Sequence, residues 1–326
     1  MNILTLRIGI IGTGGFAMMH AQKLAALANV EVIGFVASTI EKAETAANKF
    51  GQAKGYESLQ QMLDDSKVDA VYICVPPFAH GAYEHLLVER GIPFFVEKPI
   101  DTTEQQPAQL VQQIKEKQLI TSVGYHWRYK DTTAKAKQLL EQQTIGLAAG
   151  YWMGGLPGVY WWRNMELSGG QMVEQTTHIV DLLRYTAGEV VEVYAAYGTH
   201  VVEQQYADAT VPDVGTMTLK LASGAVATIS NTCILPAGGR TGLHLYTDKG
   251  RLEIDGSTLI VIDAEKSTTY QKRNDPYDLQ SAAFIHALRT GDTSRILSNY
   301  EDAFQTHRVT MAANQSAASG QPVRLV

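Results

Sequence analysis

A glycine-rich loop between an apolar run and a helical pattern constrains the fold of this chain more than any other feature. The motif Gly12-Thr-Gly14-Gly-Phe-Ala17 follows the apolar residues 3–11 and opens a helical pattern over residues 17–27. In such a unit the first glycine permits a tight turn, the second lets backbone approach a pyrophosphate, and a small third residue packs against the strand. The positive end of the helix then faces the phosphates. The sequence therefore predicts a dinucleotide-binding loop formed by Gly12, Gly14, Gly15, Phe16 and Ala17.

Strand and helix patterns alternate through the first 123 residues. Near-continuous apolar runs, typical of strands buried on both faces of a parallel sheet, lie at residues 3–11, 30–37, 68–75, 93–97 and 120–123. Helical patterns lie between them at residues 17–27, 41–50, 80–90 and 103–117. Strand–helix–strand units with short links predict a doubly wound parallel sheet. We therefore expect a Rossmann dinucleotide-binding domain over residues 1–123.

The pattern changes after residue 124. Helical spacing is found at residues 130–143, 170–187, 277–289 and 300–318, and a glycine-rich loop at residues 154–168. Strands are predicted at residues 146–153, 190–203, 213–221, 225–234, 243–247, 251–254 and 259–263. Because the links at 221–225 and 247–251 are short and turn-like, the second sheet is expected to be large, open and mostly antiparallel. Residues 124–326 would then form an α+β domain for substrate binding and oligomerisation.

The composition excludes several classes of protein. Hydrophobic residues make up 45% of the 326 and charged residues 18%, which is enough apolar surface for a sizeable core. The net charge of −6 argues against nucleic acid or an anionic membrane as partner. No apolar stretch approaches the roughly 18 residues of a membrane-spanning helix, and the N-terminus has no cationic leader. Cys74 and Cys233 stand in no metal-spaced pattern, so we expect a reducing, cytoplasmic location and no metal.

The end of the second predicted strand bears on the choice of cofactor. An acidic residue often stands there and accepts hydrogen bonds from the adenosine ribose. Here the strand ends Phe-Val-Ala-Ser38-Thr39, without a carboxylate, and Lys42 follows. Ser38, Thr39 and Lys42 offer donors for a 2′-phosphate, which favours NADP slightly over NAD. Alternatively these residues only begin the next loop, since this segment has no arginine to hold a phosphate.

Two further segments carry side chains suited to acid–base chemistry. Glu97 and Lys98 follow the fourth predicted strand, and ligands of open α/β sheets bind at that carboxyl edge. Glu174 and His178 are four residues apart in a predicted helix, so both are expected on one face, with Asp181 nearby. That face would suit an acid–base histidine oriented by a carboxylate. Three of these residues also have a structural alternative. Lys98 would be a surface lysine paired with Glu97, His178 would be a half-buried structural histidine, and Asp181 would pair with Arg184.

The order of these motifs resembles one known family over essentially the whole chain. After the glycine loop come Val75-Pro76-Pro77 with His80, then Glu97-Lys98-Pro99, then the segment 169–181 with Glu174, His178 and Asp181. This order is similar to that of the glucose–fructose oxidoreductase, inositol dehydrogenase and rhizopine-catabolism family, Gfo/Idh/MocA. The resemblance implies a Rossmann domain, a second domain with a large open sheet, and NAD(P)-linked oxidation of sugars, cyclitols or related polyols.

The resemblance also implies roles for individual residues. Lys98 corresponds to the family's catalytic lysine and His178 to its catalytic histidine, whereas Glu174 stands where the family more often has aspartate. Further cofactor contacts are expected from the residues Val75, Pro76, Pro77, His80, Glu97, Lys98, Arg128, Trp162 and Arg163. Substrate contacts are expected from the residues Lys98, Tyr125, Glu174, His178 and Tyr277. Trp161 and Trp162 would equally suit packing.

The primary reading is therefore a dehydrogenase that moves hydride between nicotinamide and a secondary alcohol carbon. His178 would act as general base, Lys98 would stabilise the alkoxide, and Glu174 would orient the imidazole or bind a neighbouring hydroxyl. One alternative is a hydrolase or lyase that retains NAD and oxidises its substrate only transiently. Another is a dinucleotide-sensing regulator without catalysis, which would need neither Lys98 nor His178. A homodimer or homotetramer through the second sheet is expected.

Overall fold

The computed structural model describes residues 5–325 and confirms an α/β fold with one parallel and one mostly antiparallel sheet. The chain divides into two compact units. The first unit comprises residues up to Asp101 together with Gln105–Gly124 and Tyr277–Asp302. The second comprises Thr102–Glu104, Tyr125–Pro276 and the residues from Ala303 onward. Residues 3 and 4, which were expected to begin the first strand, lie outside the described residues.

Six parallel strands with intervening helices form the first unit. In chain order the elements are β1 (Leu6–Ile11), α1 (Gly15–Ala25), β2 (Val30–Val36), α2 (Ile40–Ala47), β3 (Lys54–Tyr56), α3 (Leu59–Asp65), β4 (Ala70–Ile73), α4 (Ala82–Arg90), β5 (Phe94–Val96), α5 (Gln105–Lys117) and β6 (Thr121–Val123). The strand order is β3-β2-β1-β4-β5-β6, and every neighbouring pair is parallel. This is the doubly wound order of a dinucleotide-binding sheet.

Strand β3 and helix α3 have no counterpart among the predicted elements. Strand β3 has only three residues, and of these only Tyr56 is buried, so it lacks the apolar run that identified the other strands. Helix α3 is seven residues long and begins at the cap Ser58, whose hydroxyl accepts the N–H of Gln61. Elements this short leave little periodic signal in a sequence.

Apolar side chains from both faces of the sheet build the core of the first unit. Ile8, Ile10, Phe35 and Phe95 have no more than traces of exposed surface. Burial of such a side chain stabilises the fold by about 1.5–3 kcal/mol. The continuous apolar runs of the sequence are explained by this burial on two faces.

The compact units divide the chain differently from the expected boundary at residue 123, because of the segment Tyr277–Asp302. The sequence placed these residues in the second domain, but in the structure they belong to the first unit. The reason is apolar packing: Phe284 and Ile285 are buried in the same cluster as Ile8 and Phe95. This segment lies far along the sequence from the Rossmann strands, so the sequence pattern does not indicate that it packs with them.

The second unit is built around a nine-stranded sheet. The remaining elements of the chain, in order, are α6 (Asp131–Leu140), β7 (Ile145–Met153), α7 (Met165–Ser168), α8 (Gly170–Glu174), α9 (Thr177–Ala187), β8 (Val190–Gly198), α10 (Val202–Gln205), β9 (Val214–Leu221), β10 (Val226–Thr232), β11 (Arg240–Thr247), β12 (Gly250–Asp255), β13 (Thr258–Ile262), β14 (Ser267–Gln271), α11 (Pro276–Thr290), α12 (Tyr300–Ser319) and β15 (Val323–Arg324). From Tyr277 onward α11 belongs to the first unit. The strand order is β14-β13-β12-β11-β7-β10-β9-β8-β15, with β7 and β10 parallel and the other pairs antiparallel.

One face of this sheet carries the core, as the alternation along its strands shows. In β9, Met217, Leu219 and Leu221 are buried, whereas Thr216 and Lys220 on the opposite face are exposed. The buried face shares a hydrophobic cluster with α9, which contributes apolar side chains. The opposite face is the more exposed one, as is common for antiparallel sheets.

The predicted continuous helix over residues 170–187 is wrong. The structure has two helices, α8 and α9, that are separated at Gln175 and Thr176. The N–H of Thr176 reaches back five residues to the carbonyl of Gln171, at 2.9 Å, which is outside α-helical register. The Thr176 hydroxyl accepts a hydrogen bond of 2.9 Å from the Asn231 amide of β10. This tertiary contact accompanies the break, and the helical spacing of the sequence does not predict it.

No helix within residues 5–325 is long and apolar enough to cross a membrane.

Candidate active site

The glycine loop of the first unit has the shape that a dinucleotide requires. Gly12 has a φ of +104°, and a Cβ there would overlap the Cys74 carbonyl, so this turn needs glycine. At Gly14 and Gly15 a Cβ would meet no protein atom within 4 Å. The loop therefore faces open space where α1 begins, and its first turn carries no acidic side chain. Ala17 is fully buried, as close packing of helix on strand demands. These residues fit a bound pyrophosphate.

The donors after β2 are arranged together in the first unit. Thr39 caps α2, where its hydroxyl accepts the Lys42 N–H at 3.4 Å. The Lys42 ammonium donates to the Ser38 hydroxyl at 3.1 Å. Thr39 thus also begins the next helix, which was the alternative interpretation. The Lys42 ammonium and the Ser38 hydroxyl nevertheless lie close enough to act on one anion.

The segment after β4 is fixed by local hydrogen bonds. Pro77–Ala79 forms a 3-10 turn, and His80 follows it. The His80 Nδ1 lies 2.6 Å from a Glu84 carboxylate oxygen, and the other oxygen of Glu84 accepts the Gly81 N–H at 2.7 Å. Both side chains are completely buried. These bonds give His80 a local structural role at the start of α4.

Glu97 and Lys98 lie directly beyond β5, at the carboxyl edge of the parallel sheet. Glu97 continues the ladder, since its N–H donates to the Ile73 carbonyl at 2.8 Å. Its carboxylate accepts a 3.2 Å bond from the Lys98 N–H and lies 2.8 Å from the imidazole Nε2 of His20. Glu97 is 6% exposed and Lys98 is half-buried, so these two residues do not form the solvated surface pair of the alternative interpretation. His20 is a neighbour that sequence analysis did not identify.

His178 is the second residue of α9 in the second unit and is 6% exposed. Aromatic rings surround its imidazole. Trp152 and Trp127 lie nearly parallel to it, at centroid distances of 5.8 and 6.3 Å. His126 and Tyr125 meet it edge-on, at 5.0 and 6.1 Å. The ring is thus held in one orientation, which suits proton transfer at a defined atom.

Tyr125 supports this histidine with its ring. The Tyr125 hydroxyl is 2.8 Å from the Thr177 hydroxyl, and the residue is 1% exposed. Burial, and secondarily the charge of Asp181, raises the pKa of Tyr125 well above its usual range. Its expected contact with substrate would therefore have to come from a neutral, already hydrogen-bonded phenol.

Glu174 and His178 lie on two separate helices, because the break at Gln175 and Thr176 falls between them. This corrects the expectation that one continuous helix carries both residues. Glu174 ends α8, and one of its carboxylate oxygens accepts a 2.8 Å hydrogen bond from the indole nitrogen of Trp162. Trp162 is 1% exposed and packs with Val202, Val211 and Cys233. The indole therefore anchors the carboxylate.

Arg128 is committed to Asp181. Its Nε and Nη2 donate to the two Asp181 oxygens at 2.9 and 2.6 Å, and both side chains are buried. The Thr306 hydroxyl adds a third bond to Asp181, at 3.1 Å. A paired, buried guanidinium holds α9 against the segment around residue 128. This geometry favours a structural role over the cofactor contact expected for Arg128.

The remaining expected site residues fall in both units. Arg163 donates to Asp208 at 3.1 Å, with its guanidinium 4.3 Å from the Tyr206 ring centroid. Tyr277 belongs to the first unit, where its ring lies 6.5 Å from that of Phe16 in the glycine loop. Tyr277 thus neighbours the expected cofactor loop. Within residues 5–325, no three His, Cys, Asp or Glu side chains are grouped to hold a metal ion.

Fold and loop geometry together define a dinucleotide-binding oxidoreductase fold, and comparison with known proteins assigns the family. Residues 6–125 match the model of an oxidoreductase family with an NAD-binding Rossmann fold, GFO_IDH_MocA. Residues 133–253 match the GFO/IDH/MocA C-terminal domain. The chain belongs to this family, as its motifs predicted.

Relatives of similar length support the assignment. Myo-inositol 2-dehydrogenase of Thermotoga maritima is 24% identical over 98% of this chain and 98% of its own. The NAD(+)-dependent scyllo-inositol 2-dehydrogenase of Bacillus subtilis is 25% identical over 98% and 96%. The crystal structure of GenD2 from gentamicin A biosynthesis, in complex with NAD, has a TM-score of 0.86 at 21% identity, covering 99% of this chain and 97% of GenD2. At this identity, the similarity to GenD2 shows a shared fold only.

Proposed function

We propose that this protein is an NAD(P)-dependent dehydrogenase that acts on a secondary alcohol of a sugar, cyclitol or related polyol. The observation that carries the proposal lies within the first unit. The glycine loop follows β1 and Lys98 follows β5, so a dinucleotide site and a cationic side chain share the carboxyl edge of one parallel sheet. Inositol dehydrogenases among the full-length relatives support the substrate class.

Three side chains have separate roles in the proposed reaction. A bound nicotinamide would accept the hydride from the alcohol carbon, or return it in reduction. His178 takes the proton of the hydroxyl that is oxidised, and its aromatic surroundings keep the imidazole oriented. Lys98 stabilises the negative charge that develops on that oxygen. Glu174, anchored by Trp162, binds a neighbouring hydroxyl of the substrate.

We propose that Gly12, Gly14, Gly15, Phe16 and Ala17 hold the pyrophosphate. Ser38, Thr39 and Lys42 would contact the adenosine ribose, and their donors favour a 2′-phosphate, hence NADP, by a small margin. Val75, Pro76, Pro77 and Glu97 would line the cofactor from the neighbouring strand ends. Two free thiols, Cys74 and Cys233, are consistent with the proposed reducing, cytoplasmic location.

We further propose a homodimer or homotetramer built through the open face of the second sheet. Leu147 of β7 lies beside Val226 of β10 and Tyr246 of β11, and the three side chains are 42%, 43% and 38% exposed. Three adjacent exposed apolar side chains across three strands make a patch that a second copy would cover.

A substrate screen tests the proposed function. Purified protein is assayed with NAD and with NADP against inositols, aldoses and glucosides, following absorbance of the reduced nicotinamide. We expect turnover with at least one polyol, and a fall in kcat of about 100-fold or more for Lys98→Ala and for His178→Ala with cofactor affinity kept. Near wild-type kcat in either variant would contradict the role given to that residue.

A further inference from the structure

Helix α1 carries a buried histidine that the proposed mechanism does not use. His20 has no exposed surface, and its Nε2 lies 2.8 Å from a Glu97 carboxylate oxygen. The two residues are 77 positions apart in sequence, so the contact joins the helix after the glycine loop to the end of β5. Both belong to the first unit.

Packing holds the His20 ring in place. Its centroid lies 4.9 Å from that of Phe95, 5.5 Å from that of Tyr72 and 6.1 Å from that of Tyr277. Within residues 5–325, the buried Nδ1 atom has no hydrogen-bond partner. The polar contact of the ring is therefore the one to Glu97, with the proton on Nε2 donated to the carboxylate.

The Glu97 carboxylate is confined on its other side as well. Its second oxygen accepts the Lys98 N–H at 3.2 Å. A Cβ at Gly124 would overlap that oxygen, so the absence of a side chain at Gly124 makes room for it. One carboxylate therefore joins the His20 imidazole to the main chain at Lys98.

We propose that His20 is a positioning residue for Lys98. By donating to Glu97, His20 fixes the carboxylate that accepts the Lys98 main-chain N–H. The main chain of Lys98 is therefore held in place, and with it the starting position of the lysine side chain. Because His20 lies on the helix that begins in the glycine loop, its hydrogen bond to Glu97 links that helix to the segment that carries Lys98. The inference rests on the proposed function of Lys98 and adds a residue outside the expected site. Misplacement of a reacting group by about 1 Å costs on the order of 100-fold in rate.

Two substitutions separate the hydrogen bond from packing. His20→Met fills similar space without a donor, whereas His20→Gln places an amide N–H near the position of Nε2. We expect His20→Met to lower kcat at least tenfold, with the KM for cofactor within about twofold of wild type, and His20→Gln to recover kcat to within about threefold. His85→Met is the control and should match wild-type kcat, because the half-buried His85 of α4 contacts Gln113 of α5 and not Glu97.

Equal loss in both variants would assign the effect to ring packing and overturn the proposal, as would wild-type kcat in His20→Met. If His20→Met does not fold, Glu97→Gln replaces it, since the amide presents its own N–H to His20 Nε2 or to the Lys98 N–H, which the carboxylate accepts from. A fall of at least tenfold is expected, and wild-type kcat would overturn the proposal.

Chemical labelling provides a test that needs no substrate. Acetic anhydride is applied to wild type and variants, and acetylation of Lys98 is compared with that of exposed Lys115 by mass spectrometry. We expect the ratio to change at least threefold in His20→Met and little in His20→Gln, and an unchanged ratio in His20→Met would overturn the proposal. Wild-type kcat in Lys98→Ala would contradict the proposed function and this proposal with it. Inactive Lys98→Ala beside active His20→Met would contradict this proposal alone.

Discussion

The indole nitrogen of Trp162 donates a 2.8 Å hydrogen bond to the carboxylate of Glu174. Trp162 is buried in its own small cluster with Val202, Val211 and Cys233, so the donor is rigid. A hydrogen bond to a charged group contributes about 1.5–3 kcal/mol. Glu174 therefore presents its carboxylate in a defined direction although it ends a five-residue helix.

Replacing the donor tests this anchor. Trp162→Phe keeps an aromatic ring and removes the N–H, so we expect kcat/KM to fall about tenfold, mainly through a higher substrate KM, with cofactor affinity unchanged. Steady-state kinetics with the preferred polyol measure the effect. Trp161→Phe is the neighbouring control and should remain near wild type. An unaltered KM in Trp162→Phe would mean that Glu174 does not need the indole.

The glycine loop offers a pair of substitutions with opposite expectations. Gly14→Val places its side chain where no protein atom lies within 4 Å, so the chain should fold but lose dinucleotide binding. Gly12→Val would overlap the Cys74 carbonyl at a φ of +104°, so it should destabilise the fold. Cofactor fluorescence titration and thermal unfolding measure the two effects. Unchanged affinity in folded Gly14→Val would reduce the loop to a simple turn.

Lys130 gives a pH dependence of stability. Burial, with Lys272 nearby, lowers the pKa of Lys130 to about 7, and in the unfolded chain its pKa is ~10.4. Between these values the unfolded chain binds a proton that the folded chain lacks, so this residue makes the free energy of unfolding rise with pH. Relative to wild type, Lys130→Met should be most stabilised at and below pH about 7, with the gap closing toward pH ~10.

Denaturant titrations of both proteins across that range provide the measurement. Lys115→Met, at an exposed position, is the matched control and should show no such trend. A gap between Lys130→Met and wild type that does not vary with pH would show that Lys130 titrates in its ordinary range.

The exposed patch on the second sheet predicts the state of association. Leu147→Glu puts a charge between Val226 and Tyr246, and burying an unpaired charge in an interface is costly. We expect wild type to scatter light as a dimer or tetramer of the 35.7 kDa chain and Leu147→Glu to scatter as a monomer. Thr228→Glu, elsewhere on the same face, should weaken association less. A wild-type mass of one chain at micromolar concentration would contradict the interface.

Strong periodic signals made much of this fold predictable. The Rossmann strands have long apolar runs because both faces of their sheet are buried. The glycine loop is recognisable in the sequence because its backbone geometry requires glycine. The predicted sheet classes and the family are confirmed. The contact of His20 with Glu97 joins residues far apart in sequence, and nothing in the local pattern around His20 indicates it.

Tertiary contacts explain what the sequence did not reveal. The break between α8 and α9 accompanies a bond from Asn231 on another strand, and local spacing contains no trace of it. The return of Phe284 to the core of the first unit likewise depends on chain topology. The roles of Lys98, His178 and Glu174 stay predictions that follow from family resemblance and from the chemistry of their surroundings.

The stoichiometry of nicotinamide reduction tests the central claim most directly. With the polyol that gives the highest kcat/KM, reduced nicotinamide is measured by absorbance and the oxidised product by mass spectrometry in the same reaction. A dehydrogenase forms one reduced nicotinamide for each substrate oxidised, and we predict this ratio, with both signals lost in Lys98→Ala and His178→Ala. Product formed by elimination or hydrolysis, without net nicotinamide reduction, would contradict the account and identify a redox-cycling enzyme on the same fold.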